Sequence, residues 1–347
     1  MSARWRLFMM GTGRLSGRDR GAGGGALDAT DDQGERYYKL QHSILRLPPS
    51  FTLLISSFTG FRGIPCGGIV YARLQMNPTR ERMEVTFERA LTVTGPVSLD
   101  VSANSGVIRV LKGDAGSVRI RGVVRARSSF FIWGDLSGRM RRIEADPPIA
   151  QDGNAIGVGD VTDRWLLRGI KLLLEITTPA DTEVRALTDR GDIRIEGIEG
   201  PVECETDSGE INIASIGSDV RASSDSGGIR IQLVKGAVDA RSDSGHIEAL
   251  EIEGTIDANT DSGDIRLWQT AVKPVCAHAD SGRIRLRLAS NGGYSVRART
   301  DNGRVDLPEM TRQRLSRHEL EGDIRGGGSV VDLETDSGDI EIVADSH

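Results

Sequence analysis

Eight aspartates stand at Asp189, Asp207, Asp225, Asp243, Asp261, Asp280, Asp301 and Asp336. Each lies two residues ahead of a glycine: Gly191, Gly209, Gly227, Gly245, Gly263, Gly282, Gly303 and Gly338. Most of the triplets read Asp-Ser-Gly. Carboxylates repeated in this way can do three kinds of chemistry. They can bind Ca²⁺, which takes carboxylate and carbonyl oxygens. They can supply the acid and base of glycoside cleavage. They can accept backbone N–H groups and so tie turns, as Asx motifs do.

Spacing decides how these groups are positioned. The first five glycines are 18 residues apart, and a fixed period of this size marks a solenoid. Counted from each Asp, apolar residues fall four, six and nine places on, then thirteen and fifteen. From Asp207 these are Ile211, Ile213, Ile216, Val220 and Ala222; from Asp225 they are Ile229, Ile231, Val234, Val238 and Ala240. Each pair two apart shares one face of a strand. A rung is therefore two short strands and two corners. Neither strand buries its apolar face alone, and stacking the next rung about 4.8 Å away aligns like with like. Ala at the fifteenth place predicts a narrow interior. Cys204 occupies that place and reads as a small buried hydrophobe.

Within that frame the aspartates read as corners. Asp ties the turn through backbone N–H groups, and Gly supplies a positive φ. The calcium reading is weaker, because calcium β-rolls repeat a glycine-rich nonapeptide that this chain lacks. No metal and no cofactor is expected. Thr188, Thr206, Ser224, Ser242, Thr260, Thr300 and Thr335 precede the aspartates. They share parity with Val202 and Cys204 and so point inward or into the corner, not outward as an ice-binding array would.

Three further groups could carry binding. Arg283, Arg285 and Arg287 alternate on one strand face near Arg297 and Arg299. Such a face could take an acidic polymer or anionic lipid, or be a solvated face balanced by Asp306 and Glu309. Trp268 is an outward aromatic. The five histidines (His42, His246, His278, His318 and His347) do not cluster by spacing. No Ser-His-Asp, HExxH or Walker pattern occurs, and Gly11-Thr12-Gly13 with Gly17 has the wrong spacing for a dinucleotide fingerprint.

Composition narrows the classes. Hydrophobic residues are 38%, aromatics 4% and glycines 43 of 347. That suits a thin core of Ile, Val and Ala with frequent turns. The net charge is −6, with acids and bases well mixed, which argues against nucleic acid as a partner. Cys66, Cys204 and Cys276 are too few and too scattered for a disulfide framework or a zinc site. The most apolar stretch, near Phe51–Phe61, is about half the ~20 residues a membrane span needs, and no export signal is read at the start.

Residues 1–82 hold no sustained period and read as a low-complexity, disordered tail, or as sequence upstream of a true start near Met83. Residues 83–345 read as the solenoid, with an excursion at 128–170 that breaks the period at Phe130–Trp133 and Pro147-Pro148. A short helix around Arg141 and a strand or two would fit there. Beyond Asp261 the steps lengthen to 19, 21 and 35 residues, so an irregular rung and a protruding loop are expected at 308–328.

The run Ile176-Thr177-Thr178-Pro179-Ala180-Asp181-Thr182, then Asp189-Arg190-Gly191-Asp192-Ile193, then the reiterated Thr/Ser-Asp-Ser-Gly-x-Ile, resembles bacterial β-strand-repeat proteins of unknown function. These are adhesin-like and related to autotransporter-adhesin heads. The likeness covers roughly residues 95–345. It implies a single-stranded β-helix, often attached to the cell envelope; the usual N-terminal anchor is not evident here, so the default expectation is cytoplasmic. The fold expected is all-β, a right-handed parallel β-helix (β-solenoid) with ~18-residue rungs. The function expected is a non-enzymatic binding module for an unknown protein or glycan. The alternative is a carbohydrate-active β-helix enzyme. End-to-end self-association through a bare sheet edge is a third expectation.

Overall fold

A computed structural model describes short strands between residues 27 and 76, and residues 82–127, 133–159, 170–307, 311–316 and 318–344. The chain divides into two compact units, Met1–Glu81 and Arg82–His347. In the first, Leu27–Thr30, Arg36–Leu40 and Ser43–Leu47 form an antiparallel sheet. Phe51–Ser56 pairs antiparallel with Tyr71–Met76. Cys66 and the other residues from 57 to 70 lie outside the described residues.

The second unit is a parallel β-solenoid whose rungs follow the 18-residue period. Val202–Ser208 leads through a corner to Ile211–Ile216, and a second corner returns the chain to Val220–Ser226. Successive rungs stack in register. On one side Ile193, Ile211, Ile229, Ile247, Ile265 and Ile284 form a continuous column. On the other, Val202, Val220, Val238, Ile256 and Val275 do the same. All are buried. The strict alternation of buried and exposed residues in both strands places one column of side chains inside and its neighbour outside.

Cys204 lies in the inner column of small residues with Ala186, Ala222, Ala240 and Ala258, and is buried. That column is not uniformly narrow. Leu333 occupies it in the last rung, fully buried, between Ala277 and Ala298 of the flanking rungs. The small neighbours on either side leave the space that one larger side chain fills.

The order of rungs in space departs from their order in the chain at both ends. Val97–Lys112 pairs with Thr182–Glu196 on one side. On its other side it pairs with Ala155–Val158 and Ile170–Thr178. Near the C-terminus, Val275–Ser281 pairs with Ser329–Ser337, not with the next strand in sequence, Tyr294–Asn302, which lies beyond it. The Ile side agrees: Ile340–Ala344 sits between Ile284–Leu288 and Val305–Asp306. The last rung of the chain is therefore wedged between two earlier ones.

Antiparallel strands finish the stack. Ser117–Arg127 lies on Ile170–Thr178, with Arg82–Thr92 outside it. Gly122 leaves room for the Phe87 ring, which a Cβ there would strike. Helix α1 (Trp133–Ala145) contributes Met140 and Ile143 to the core, and Ile149–Asp152 edges the other sheet. At the far end Glu319–Ile324 and Thr311–Leu315 cover Tyr294–Asn302. Residues 128–132, 160–169 and 308–310, where the sequence breaks its period, lie outside the described residues.

Candidate functional site

The repetition of the Asp-Ser-Gly corners invites a metal or catalytic reading. All eight aspartates of the series are exposed. None accepts a backbone N–H of its own turn. Asp280 and Asp301 meet only His278 and Arg299, at 3.2 and 3.4 Å. The Asx-turn expectation is therefore corrected. At four corners a backbone N–H is taken instead by the residue after the Gly. Asp192 accepts from Glu210 N–H (3.1 Å), Asp264 from Arg283 N–H (2.9 Å) and Asp339 from Arg304 N–H (3.0 Å). His246 Nδ1 does the same for Asp264 N–H at 2.9 Å. Each reaches one rung along the stack. The sequence signal was present, an Asp or His three places after the corner Asp, but it looks like ordinary outward polarity.

The glycines also have a different reason from the expected one. Among the corner glycines of the series only Gly209 has a positive φ, at 157°. What they share is contact. A Cβ on Gly227 would run into the carbonyl oxygen of Gly209, one on Gly245 into Gly227, one on Gly263 into Gly245, and so on along the stack. The corners form a spine of glycine backbones packed on one another. At five corners the hydroxyl before the Asp locks this spine from inside; Thr188 Oγ1 and Ser224 Oγ are buried without a hydrogen-bond partner, and Ala279 has no hydroxyl. Ser242 Oγ donates to Gly227 O (3.2 Å), Thr260 Oγ1 to Gly245 O (3.1 Å) and Thr300 Oγ1 to Gly338 O (2.9 Å). These hydroxyls point inward, as their parity predicts, and are buried.

The outer face of the Ile strands is where side chains of mixed chemistry gather. A shallow trough of ≈ 400 Å³ runs across it, lined among others by Glu210, Arg230, Glu248, Arg266, Arg283 and Arg285. Strand pairing puts Arg230, Glu248 and Arg266 in adjacent rungs of one column. Glu248 bridges both arginines at 2.8 Å. The next column carries Trp268, Arg287 and Val343; the Arg287 guanidinium lies 4.6 Å from the Trp268 ring centre. The structure thus brings Trp268, Arg283, Arg285 and Arg287 onto one face. It does not leave them as a bare basic patch. Arg285 is held by Glu341 of the wedged rung, Nη2 to Oε2 2.6 Å and Nε to Oε2 2.9 Å. Arg297 and Arg299 lie on the other strand type, with Arg299 between Asp301 and Glu334.

The opposite outer face carries Cys276 between Asp257 and Asp332 of the neighbouring rungs, with His278 two residues on. Partial burial, then the carboxylates of Asp257, Asp332 and Glu334, push its thiol above the ordinary range. A thiol so placed is a poor nucleophile at neutral pH. Burial, with a smaller push from Glu203, also raises the Cys204 thiol. Among the described residues no group of three His, Cys, Asp or Glu side chains is arranged to hold a metal ion. Among them, too, no helix is long and apolar enough to cross a membrane.

Stacked parallel rungs, a glycine spine and an outer face of registered side-chain columns define a β-solenoid repeat domain. Residues 159–343 match the model of the Toastrack DUF4097 family, and the chain belongs to that domain family of unknown function. No curated protein matches it. Two solved structures are similar to it. One is a candidate adhesin from Bacteroides fragilis NCTC 9343, with 15% identity, 75% of this chain and 97% of that chain covered, and a TM-score of 0.41. The other is a candidate cell adhesion protein from Clostridium sporogenes ATCC 15579, with 12% identity, coverage of 75% and 100%, and a TM-score of 0.23.

Proposed function

We propose that the solenoid is a non-enzymatic binding module that presents the outer face of its Ile strands to a glycan. The observation that carries this is the column Trp268, Arg287, Val343 running beside the Arg–Glu trough. The half-exposed Trp268 indole and the Arg287 guanidinium stacked on it offer a sugar apolar contact, and the flanking charged groups offer hydrogen bonds to its hydroxyls. Rung register fixes both columns, so the surface is preorganised and little ordering entropy is lost on binding.

The carbohydrate-active enzyme is the competing reading, since the same trough holds Glu210, Glu248 and Asp264. Two of those carboxylates already have partners: Glu248 accepts from two arginines and Asp264 from a backbone N–H. That favours a binding role for the trough over an acid–base pair.

The test is biolayer interferometry of the full chain against immobilised neutral, carboxylated and sulphated polysaccharides, with reducing-end release measured on the same set. Saturable binding to one class without release supports the proposal. Turnover of any of them, or binding unaffected by Trp268→Ala, would overturn it.

A further inference from the structure

The wedged C-terminal rung gives the molecule an interaction surface that faces its own stack. Ser329–Ser337 and Ile340–Ala344 fill a slot between the rung at 275–288 and the rung at 294–306. The rung is bonded on both sides. Gly282 N–H donates to Ser337 O (3.0 Å) and Ile284 N–H to Asp339 O (3.1 Å); across the other side Gly338 N–H donates to Asn302 O (3.2 Å) and Ile340 N–H to Arg304 O (2.9 Å). Leu333 adds a buried knob between Ala277 and Ala298.

The two walls of the slot present matching registers. Val275 and Val296 both pair with Val331, and Ser281 and Asn302 both pair with Ser337. Each wall therefore offers the inserted rung the same set of partner positions. The link to that rung is a hinge. Arg325 has φ 50°, costly for a residue with a Cβ, and Gly326, Gly327 and Gly328 follow at 89°, 83° and 158°. Arg325 holds the hinge by donating to Ala289 O and Gly292 O. Tyr294 pairs with Ile324 on one side and with Ser329 on the other, so the hinge carries the chain around the end of one strand.

We propose that this slot accepts the C-terminal rung of a second copy, so that two chains associate by reciprocal exchange of residues 329–344. Every contact of the rung is reproduced in the exchanged pair, and only the hinge changes. This differs from pairing of sheet edges, because the donated strands enter between rungs and not at the end of the stack.

The experiment uses the full chain with Cys66→Ser and Cys276→Ser as background, and Ser281→Cys with Ser337→Cys as reporters. Facing residues on neighbouring strands lie within reach of a disulfide. The protein is unfolded, refolded over a range of concentrations, oxidised, and run on a denaturing non-reducing gel beside light scattering. Exchange predicts a disulfide-linked dimer whose share rises with refolding concentration. Intrachain-linked monomer at every concentration, even where light scattering reports a dimer, would overturn it. A second variant deletes Gly326 and Gly327. The hinge must cross two strand spacings, about 10 Å, and the three remaining Cα steps span at most roughly 11 Å, with nothing left to round the strand end. That chain is expected to be dimeric at concentrations where the parent is monomeric. A folded monomer of the deletion variant would refute the proposal; if the variant does not fold, the reporter gel decides.

Discussion

Gly245→Ala puts a methyl group into the glycine spine. Its Cβ would overlap Gly227 O and stand 2.7 Å from the Gly227 carbonyl carbon, and both atoms are backbone. Ordinary contact requires the corner to move by about an ångström or more. Four hydrogen bonds join these two rungs at the corner. Asp243 N–H donates to Ser224 O (3.1 Å), Ser244 N–H to Asp225 O (2.9 Å) and Ile229 N–H to His246 O (2.9 Å). Ser242 Oγ donates to Gly227 O at 3.2 Å. A shift of that size breaks most of them, each worth about 0.5–1.5 kcal/mol net. The expected loss is about 3 kcal/mol. The matched control is Gly157→Ala, whose added Cβ meets nothing within 4 Å and which should lie within about 0.5 kcal/mol of the parent. Urea unfolding followed by far-UV circular dichroism measures both. Because rungs can open separately, peptide-resolved hydrogen exchange should also show faster exchange at 243–247 in the Gly245 variant. A Gly245→Ala chain as stable as Gly157→Ala would refute the steric account of the repeat.

Three other outcomes follow from the geometry. Ser215, Leu233 and Glu251 repeat one left-handed corner position, at φ 58°, 56° and 59°, where the first rung has Gly197 at φ 80°; Leu233→Gly, which also removes a 51% exposed Leu, should raise stability by about 0.5–1 kcal/mol in the same urea assay. Burial raises the Cys204 thiol in the folded chain, so its stabilising contribution is complete below the unfolded thiol pKa of about 8.5 and falls as pH climbs above it; stability of the parent should drop with pH up to about 1.4 kcal/mol per unit more steeply than that of Cys204→Ala. The corner carboxylates are exposed and no metal cluster forms among the described residues, so the melting temperature should be the same in calcium and in chelator; a rise with calcium would revive the calcium reading.

The solenoid was legible because its cause is periodic. Ile211, Ile229 and Ile247 must share an environment when rungs of 18 residues stack, and the sequence repeats what the stack repeats. The glycine spine was visible as a pattern but not as a mechanism. A glycine kept for φ and one kept for close approach look alike until the neighbouring carbonyl is placed. The order of the last rungs was hidden for a different reason. Val275-x-Ala277-x-Ala279, Val296-x-Ala298-x-Thr300 and Val331-x-Leu333-x-Thr335 present nearly the same inward face, so each could stack on any other. Only the long return through 311–324 determines which lies where. On the outer face, Trp268 and the arginines at 283, 285 and 287 were readable as outward residues. Their partners were not: Glu341 reaches Arg285 only because the C-terminal rung is wedged beside it.

The most direct test of the division between corner and face compares two substitutions in the full chain, with polysaccharide binding and melting temperature measured on each. Asp207→Asn changes a corner carboxylate that makes no hydrogen bond; Trp268→Ala changes the aromatic under Arg287. The account predicts parent-like binding and melting for Asp207→Asn. It predicts an unchanged melting temperature with at least roughly tenfold weaker binding, about 1.4 kcal/mol, for Trp268→Ala. Loss of binding in Asp207→Asn while Trp268→Ala still binds would contradict it.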